Sequence, residues 1–226
     1  MTALFVLTSI IFFLTIDWFV QRSRARTAPA PKLATGRVDE VRVPDGIFFA
    51  PSHTWMNLFP SGKIRLGVDD FITRLIDRPV VALLVRPGHH VHRGDPLLVL
   101  KGRAHELLVR SPIEGDILAL NEELEANATL NRDTLFSDGW AYVVKPRRMS
   151  DVKKFMLGRE SATWVSHEFQ RLKDLLATAG RGLQPAYLQE GGPPMAGILN
   201  AQDAIVWREI DRSFLNVEEP LRRQPC

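Results

Sequence analysis

Three histidines crowd the run Gly88-His89-His90-Val91-His92-Arg93-Gly94-Asp95. Imidazole is the commonest protein ligand for transition metals, so the run is a first candidate for chemistry. Strand alternation would send His90 and His92 to one side and His89 to the other. No cysteine or acidic motif accompanies them at ligand spacing, so they read as a solvated turn at a strand edge, with no metal expected. The paired carboxylates Asp69-Asp70 are a second candidate. A helix starting there needs an N-cap, which accounts for Asp69, and Asp70 reads as part of a solvated face. The polar run Lys101-Gly102-Arg103-Ala104-His105-Glu106 offers an amine, a guanidinium, an imidazole and a carboxylate in one turn. A lone His105 beside Glu106 is not an acid–base pair. The chain carries no Ser-His-Asp order, G-x-S-x-G, H-E-x-x-H, P-loop or dinucleotide fingerprint. No catalytic residue is expected, and the chain reads as a non-enzyme.

The elements around that polar run organise the rest. Arg86 to Asp116 divides into two matched halves, each ending in a Gly-Asp turn (Gly94-Asp95 and Gly115-Asp116). Leu97–Leu100 form an incoming strand and Leu107–Val109 an outgoing one closed by Ser111-Pro112. Gly102 can turn the corner with a positive φ. Upstream, Val38–Val43 alternates and reads as a first strand. Ile47-Phe48-Phe49 leads to Ser52–Leu58, which pairs with Lys63–Val68 across the turn Pro60-Ser61-Gly62. Phe71, Ile72, Leu75 and Ile76 mark a short helix, and the apolar run Val80–Val85 a buried strand. Ile117–Leu120 is the next strand, Asn121–Leu130 a loop or single helical turn, and Ala141–Val144 a final strand. From Ser150 the pattern is helical: Asp151–Met156 as a short helix, then Ser161–Ala179 with Trp164, Phe169, Leu172, Leu175 and Leu176 on one face. Asn200–Leu215 puts Ile205, Val206, Ile210 and Phe214 on another.

Composition is that of an ordinary globular protein: 226 residues, 45% apolar, 24% charged, net charge +3. The modest charge is spread into Arg22, Arg24, Arg26 and the tail pair Arg222-Arg223, so no nucleic-acid surface is expected. The one cysteine, Cys226, excludes a disulfide framework and a Cys-based zinc site. Ala3 to Ile16 carries no charge, and Trp18-Phe19-Val20 follow Asp17. With Asp17 near an interface, that run approaches the roughly 17–25 residues that span a bilayer. Arginines follow it and none precedes it. The expectation is an uncleaved, single-pass anchor contacting the inner (cytoplasmic) membrane through residues 3–20, with the remainder in the cytoplasm. The expected divisions are an anchor over 1–20, a linker and possible edge strand over 21–46, a β domain over 47–150 and a helical extension over 151–226.

Several short motifs occur in a telling order: Ser52-His53-Thr54-Trp55, Gly67-Val68-Asp69-Asp70-Phe71, Pro96, Ser111-Pro112-Ile113-Glu114-Gly115, Asn121-Glu122-Glu123-Leu124, and Asp138-Gly139-Trp140 with Lys145-Pro146. From Ser52 to about Leu176 the chain resembles the H protein of the glycine cleavage system, a lipoyl carrier of the biotinyl/lipoyl-domain superfamily. The resemblance makes His53 a structural residue of the opening strand. It also implies a lipoyl-domain-like β-barrel sandwich. With the helical tail and the anchor, the expected class is α+β, mainly β, with C-terminal helices and one N-terminal transmembrane helix. In the family, the lipoyl lysine stands at the hairpin tip seven residues before the Ser of Ser-Pro. That position here is Ala104. A methyl group cannot form the amide, and the guanidinium of Arg103 is a poor nucleophile. No cofactor is therefore expected. The leading reading is a membrane-anchored scaffold or interaction subunit that contacts a protein partner through Lys101, Arg103, His105 and Glu106. The alternative is a lipoate carrier modified at Lys101, the nearest amine. An efflux-type fusion adaptor is disfavoured, because such proteins place a long helical hairpin where this chain has a short tip.

Overall fold

The computed structural model describes residues 42–179 and 196–217. The expected anchor, most of the linker and the loop around Gly191-Gly192-Pro193-Pro194 lie outside them. Among the described residues no helix is long and apolar enough to cross a membrane. Of the strand expected over Val38–Val43, only Arg42 and Val43 are described, and they are not in a strand.

The fold is a mainly-β sandwich with a few helices. Strands β1 (Phe48–Ala50), β2 (Thr54–Leu58) and β3 (Ile64–Val68) open it, and β2 and β3 form the expected hairpin, from Thr54 opposite Val68 to Leu58 opposite Ile64. Helix α1 (Asp70–Ile76) follows, then β4 (Val80–Leu83), β5 (His90–Val91), β6 (Pro96–Lys101), β7 (Glu106–Arg110) and β8 (Gly115–Leu120). Helix α2 (Glu122–Ala126), a 3-10 turn at Arg132–Thr134 and β9 (Trp140–Pro146) come next. Helix α3 (Met149–Val152), β10 (Met156–Leu157), the long α4 (Arg159–Ala179), a 3-10 turn at Ile198–Ala201 and α5 (Ala204–Phe214) complete the described chain. One sheet runs β10-β1-β2-β3-β9-β8-β5 and the other β4-β6-β7. Period-two alternation makes the sandwich: Ile64, Leu66 and Val68 of β3, Tyr142 and Val144 of β9, Leu98 and Leu100 of β6, and Leu107 and Val109 of β7 enter one buried cluster.

Tyr142 joins the two sheets. Its hydroxyl donates to the Leu97 carbonyl at 2.8 Å and accepts from the Val85 N–H at 3.1 Å. Burial raises its pKa, which keeps the hydroxyl a donor. Tyr142→Phe removes one side of both bonds; the Leu97 carbonyl keeps the Leu84 N–H at 2.9 Å, but the Val85 N–H loses its acceptor. We expect a loss of about 1–3 kcal/mol of stability, read by denaturant unfolding.

Several expectations need correction. Val80–Val85 is not a wholly buried strand: β4 ends at Leu83, β6 is its one strand neighbour among the described residues and beyond it lies only the bridge of Val80 to Thr129, so Val81 is buried but Val80 is 44% and Leu84 49% exposed. Gly115-Asp116 is no turn but the start of β8, where Gly115 lies so close to β9 that a Cβ would sit 2.5 Å from the Lys145 carbonyl. The single helical turn expected in Asn121–Leu130 is present as α2, capped by Asn121, whose Oδ1 accepts from Glu123 and Leu124 N–H and whose Nδ2 donates to the Asp138 and Trp140 carbonyls. β9 is not the last strand, since Met156 joins β10 opposite Phe49, which also shortens the helix expected over Asp151–Met156. Asp69 caps α1 as expected, accepting from Ile72 N–H at 3.1 Å. Asp70 is not solvated. It is fully buried, paired with the Arg132 guanidinium at 2.6 Å and accepting from the Arg42 N–H.

Candidate functional site

The tip of the β6–β7 hairpin is closed by the Lys101–Glu106 pair and by Gly102 N–H donating to the His105 carbonyl at 2.9 Å. Lys101, Arg103, Ala104 and Glu106 are exposed, and His105 is half-buried. Gly102 is not at positive φ, contrary to expectation. Its missing Cβ serves a close approach instead: an added Cβ would lie 2.6 Å from the Trp207 ring and 3.0 Å from Asn200 Oδ1.

The C-terminal segment is what approaches. Arg103 N–H donates to Asn200 Oδ1 at 3.3 Å, and Asn200 Nδ2 donates back to the Ile76 carbonyl at the end of α1. Trp207 of α5 is buried, its indole N–H donates to the Leu199 carbonyl at 2.7 Å, and its ring faces His105 at 5.7 Å. Strand β7 is a sheet edge, which leaves outward N–H groups without a strand partner. Asp211 of α5 takes one, accepting from Leu108 N–H at 3.0 Å. Tip and helix together line a groove of about 470 Å³ that includes Ala104, His105, Trp207, Arg208 and Asp211. Sequence periodicity placed Val206, Ile210 and Phe214 on the buried face of this helix, and they are buried. Ile205 is 63% exposed, and Trp207 takes its place.

A second cluster ties the long helix to the sandwich. His53, at φ 56° and fully buried, stacks between Phe71 at 4.4 Å and Trp164 at 4.8 Å. Its Nδ1 bonds Asp69 Oδ2 at 2.8 Å, and its Nε2 faces Glu168 Oε2 at 3.7 Å. Burial alone would lower the imidazole pKa. The charge of Asp69, its hydrogen bond and the nearby Glu168 carboxylate override that and push it up to about 9. Burial would likewise raise Glu168, but His53 and Arg171 hold it below the usual carboxylate range. Arg171 also donates to the Ser213 carbonyl in the last turn of α5 and lies over the Phe214 ring. The arrangement is a structural one: the ring is packed between two aromatic side chains and bonded to a carboxylate at Nδ1. Glu168, the partner on α4, had no signal in the sequence beyond its place on a helix.

The histidine run lies on the opposite edge of the larger sheet. His90 and His92 share a side, with ring centroids 5.1 Å apart, while His89 turns away to the Arg86 carbonyl. The acids that spacing did not reveal are Asp116 of β8 and Glu114 just before it, since His90 pairs with Asp116 and Val91 with Gly115. His90 Nδ1 bonds Asp116 Oδ1 at 2.7 Å and its Nε2 faces Glu114 Oε1 at 3.4 Å. The bond to Asp116, helped by Glu114, raises the His90 pKa. A bond from Arg147 lowers that of Glu114.

The β sandwich with a β6–β7 hairpin ending in a short polar tip has the architecture that the resemblance implied, that of a lipoyl-type domain. The family model described as "Glycine cleavage H-protein" matches residues 47–168, more than half of the chain. The chain belongs to the glycine cleavage H-protein family. It is similar to the glycine cleavage system H protein of Chromobacterium violaceum, 27% identical over 114 residues that cover 50% of this chain and 89% of that protein. It is also similar to that of Pseudoalteromonas translucida, 28% identical over 127 residues, covering 56% and 98% respectively. Among solved structures, the H protein from Mycobacterium marinum aligns at 19% identity with a TM-score of 0.48, covering 55% of this chain and 99% of that one. Residues 198–217, which dock on the hairpin tip, lie beyond the span that the family model matches.

Proposed function

We propose that this protein is a non-catalytic member of its family that has given up lipoyl carriage and serves as a membrane-anchored scaffold, presenting the hairpin tip to a protein partner in the cytoplasm. The observation that carries this reading is the tip itself. The position where the resemblance locates the lipoyl lysine is Ala104, an exposed methyl group beside a helix that the family match does not include. A swinging arm needs a free tip. Here Gly102 and Arg103 are fastened to Asn200 and Trp207. Under this reading Lys101, Arg103 and Glu106 form the exposed polar part of the partner surface, and Trp207 with His105 its apolar floor. Anchoring through residues 3–20 would hold that surface near the inner membrane.

One observation favours a second reading: Lys101 is exposed at the end of β6, the nearest amine to the tip. Intact mass measurement separates the two. The full-length chain is expressed in a host that lipoylates an ordinary H protein, with that H protein as control. We expect the control to gain the lipoyl increment and this chain to remain at its unmodified mass. A lipoyl increment mapping to Lys101 would overturn the scaffold reading and restore the carrier.

A further inference from the structure

We propose that His90, His92 and Glu114 form a three-ligand site for a divalent transition cation of the zinc type, with Asp116 orienting His90. The site is independent of the hairpin tip and of the function proposed for it. Its geometry comes from strand pairing. Antiparallel register sets His90 opposite Asp116 and Val91 opposite Gly115, so His92 and Glu114 are the next cross-strand neighbours. One donor atom from each of His90, His92 and Glu114 lies within 4.8 Å of the others.

Tetrahedral zinc holds nitrogen and oxygen ligands at about 2.0–2.2 Å, which puts two ligand atoms about 3.4 Å apart. His90 Nε2 and Glu114 Oε1 stand at 3.4 Å. His92, within 4.8 Å of the other two, must swing inward by up to about 1.4 Å to match that spacing; its side chain is 70% exposed, and it must leave Asp95, whose Oδ2 stands 3.4 Å from its Nδ1. The second shell is already present. A carboxylate only accepts, so the 2.7 Å bond to Asp116 assigns the proton to His90 Nδ1 and turns Nε2 toward Glu114. Two imidazoles and a carboxylate suit zinc better than calcium or magnesium, which prefer oxygen shells.

Nearby cations are mostly committed elsewhere. Arg93 donates to the Val217 carbonyl, and Arg148 and Lys154 pair with Asp151. Arg147 alone competes directly, by bonding Glu114 Oε1. His92 and Glu114 also line a cleft of about 490 Å³, which leaves a fourth coordination position open to water or to a partner side chain. A cation there would clip the two-residue edge strand β5 to β8.

The test is a Zn²⁺ titration against a chromophoric chelator. It uses the full-length chain in mild detergent, free of affinity tags and carrying Cys226→Ser so that its one thiol takes no part. We expect saturable binding of one Zn²⁺ per chain. His90→Ala, His92→Ala and Glu114→Gln should each weaken it at least about tenfold, and Asp116→Asn about 10–100-fold. His89→Ala should leave it unchanged. Arg147→Gln should tighten binding by releasing Glu114, a gain that a misfolded variant cannot mimic. Absence of one-to-one binding would overturn the site. So would affinity indifferent to His90→Ala and Glu114→Gln, affinity lowered equally by His89→Ala, or no gain from Arg147→Gln.

Discussion

His53→Asn is expected to lower the stability of the fold by roughly 3–5 kcal/mol, the usual consequence of removing one member of a buried ionic group. Asparagine tolerates the left-handed backbone at this position, so the change isolates the side chain from the φ of 56°. It can still reach Asp69 from the Nδ1 position. It cannot supply the charge that Glu168 faces, nor the ring that fills the space between Phe71 and Trp164. Glu168→Gln should cost less, because Arg171 already shares that carboxylate. The same group gives a pH signature. Its folded pKa of about 9 is raised above the ordinary 6.5. The stabilisation is therefore complete below pH 6.5 and is lost as pH rises through 9. Urea unfolding of the wild type between pH 6 and pH 10 should show this alkaline loss, and His53→Asn should flatten it. A wild-type curve already level across that window would mean that the buried imidazole is neutral.

The central hairpin and the helix cap at Asp69 were legible because each rests on a local rule: alternating Leu and Val around a polar turn, and a side-chain oxygen ahead of an apolar helix. The family motifs were legible as an ordered set from Ser52 to Pro146, and they lie within the span the family model matches. What stayed hidden depended on pairings distant in sequence. Asp70 looks like a surface carboxylate until Arg132 arrives from 62 residues away. β5 is only two residues long, too short for alternation to announce its pairing with β8, so the acids beside His90 and His92 went unseen. Gly102 was read as a glycine needed for φ because hairpin tips often need one. The reason here is steric, and it lies in Trp207, 105 positions downstream (207 − 102). No rule of local spacing contains that partner.

Trp207→Ala is expected to cost about 3–5 kcal/mol, as for other large buried aromatics, and to act locally. The indole is 3% exposed, packs over Gly102 and anchors the Leu199 carbonyl. Without it, the segment Ile198–Val217 loses its main apolar contact with the hairpin. Asp211 would then release Leu108 N–H, the edge group of β7 that it now satisfies. Amide exchange should speed up at Leu108 and at Arg103, while the amide of Val85, bonded to the Tyr142 hydroxyl at the centre of the sandwich, stays protected. Gly102→Val should give the same pattern from the other side, since its side chain would occupy the space of the indole. The two changes should be far from additive when combined, because each removes the same contact. If Leu108 and Arg103 exchange no faster in Trp207→Ala, the C-terminal helix does not hold the tip in solution. The scaffold proposal then loses the composite surface of hairpin and helix on which it depends. If they do, a partner that reads that surface must bind Trp207→Ala more weakly than wild type. A partner that reads the bare tip would bind it more tightly, as the variant frees the turn that Asn200 and Trp207 now hold.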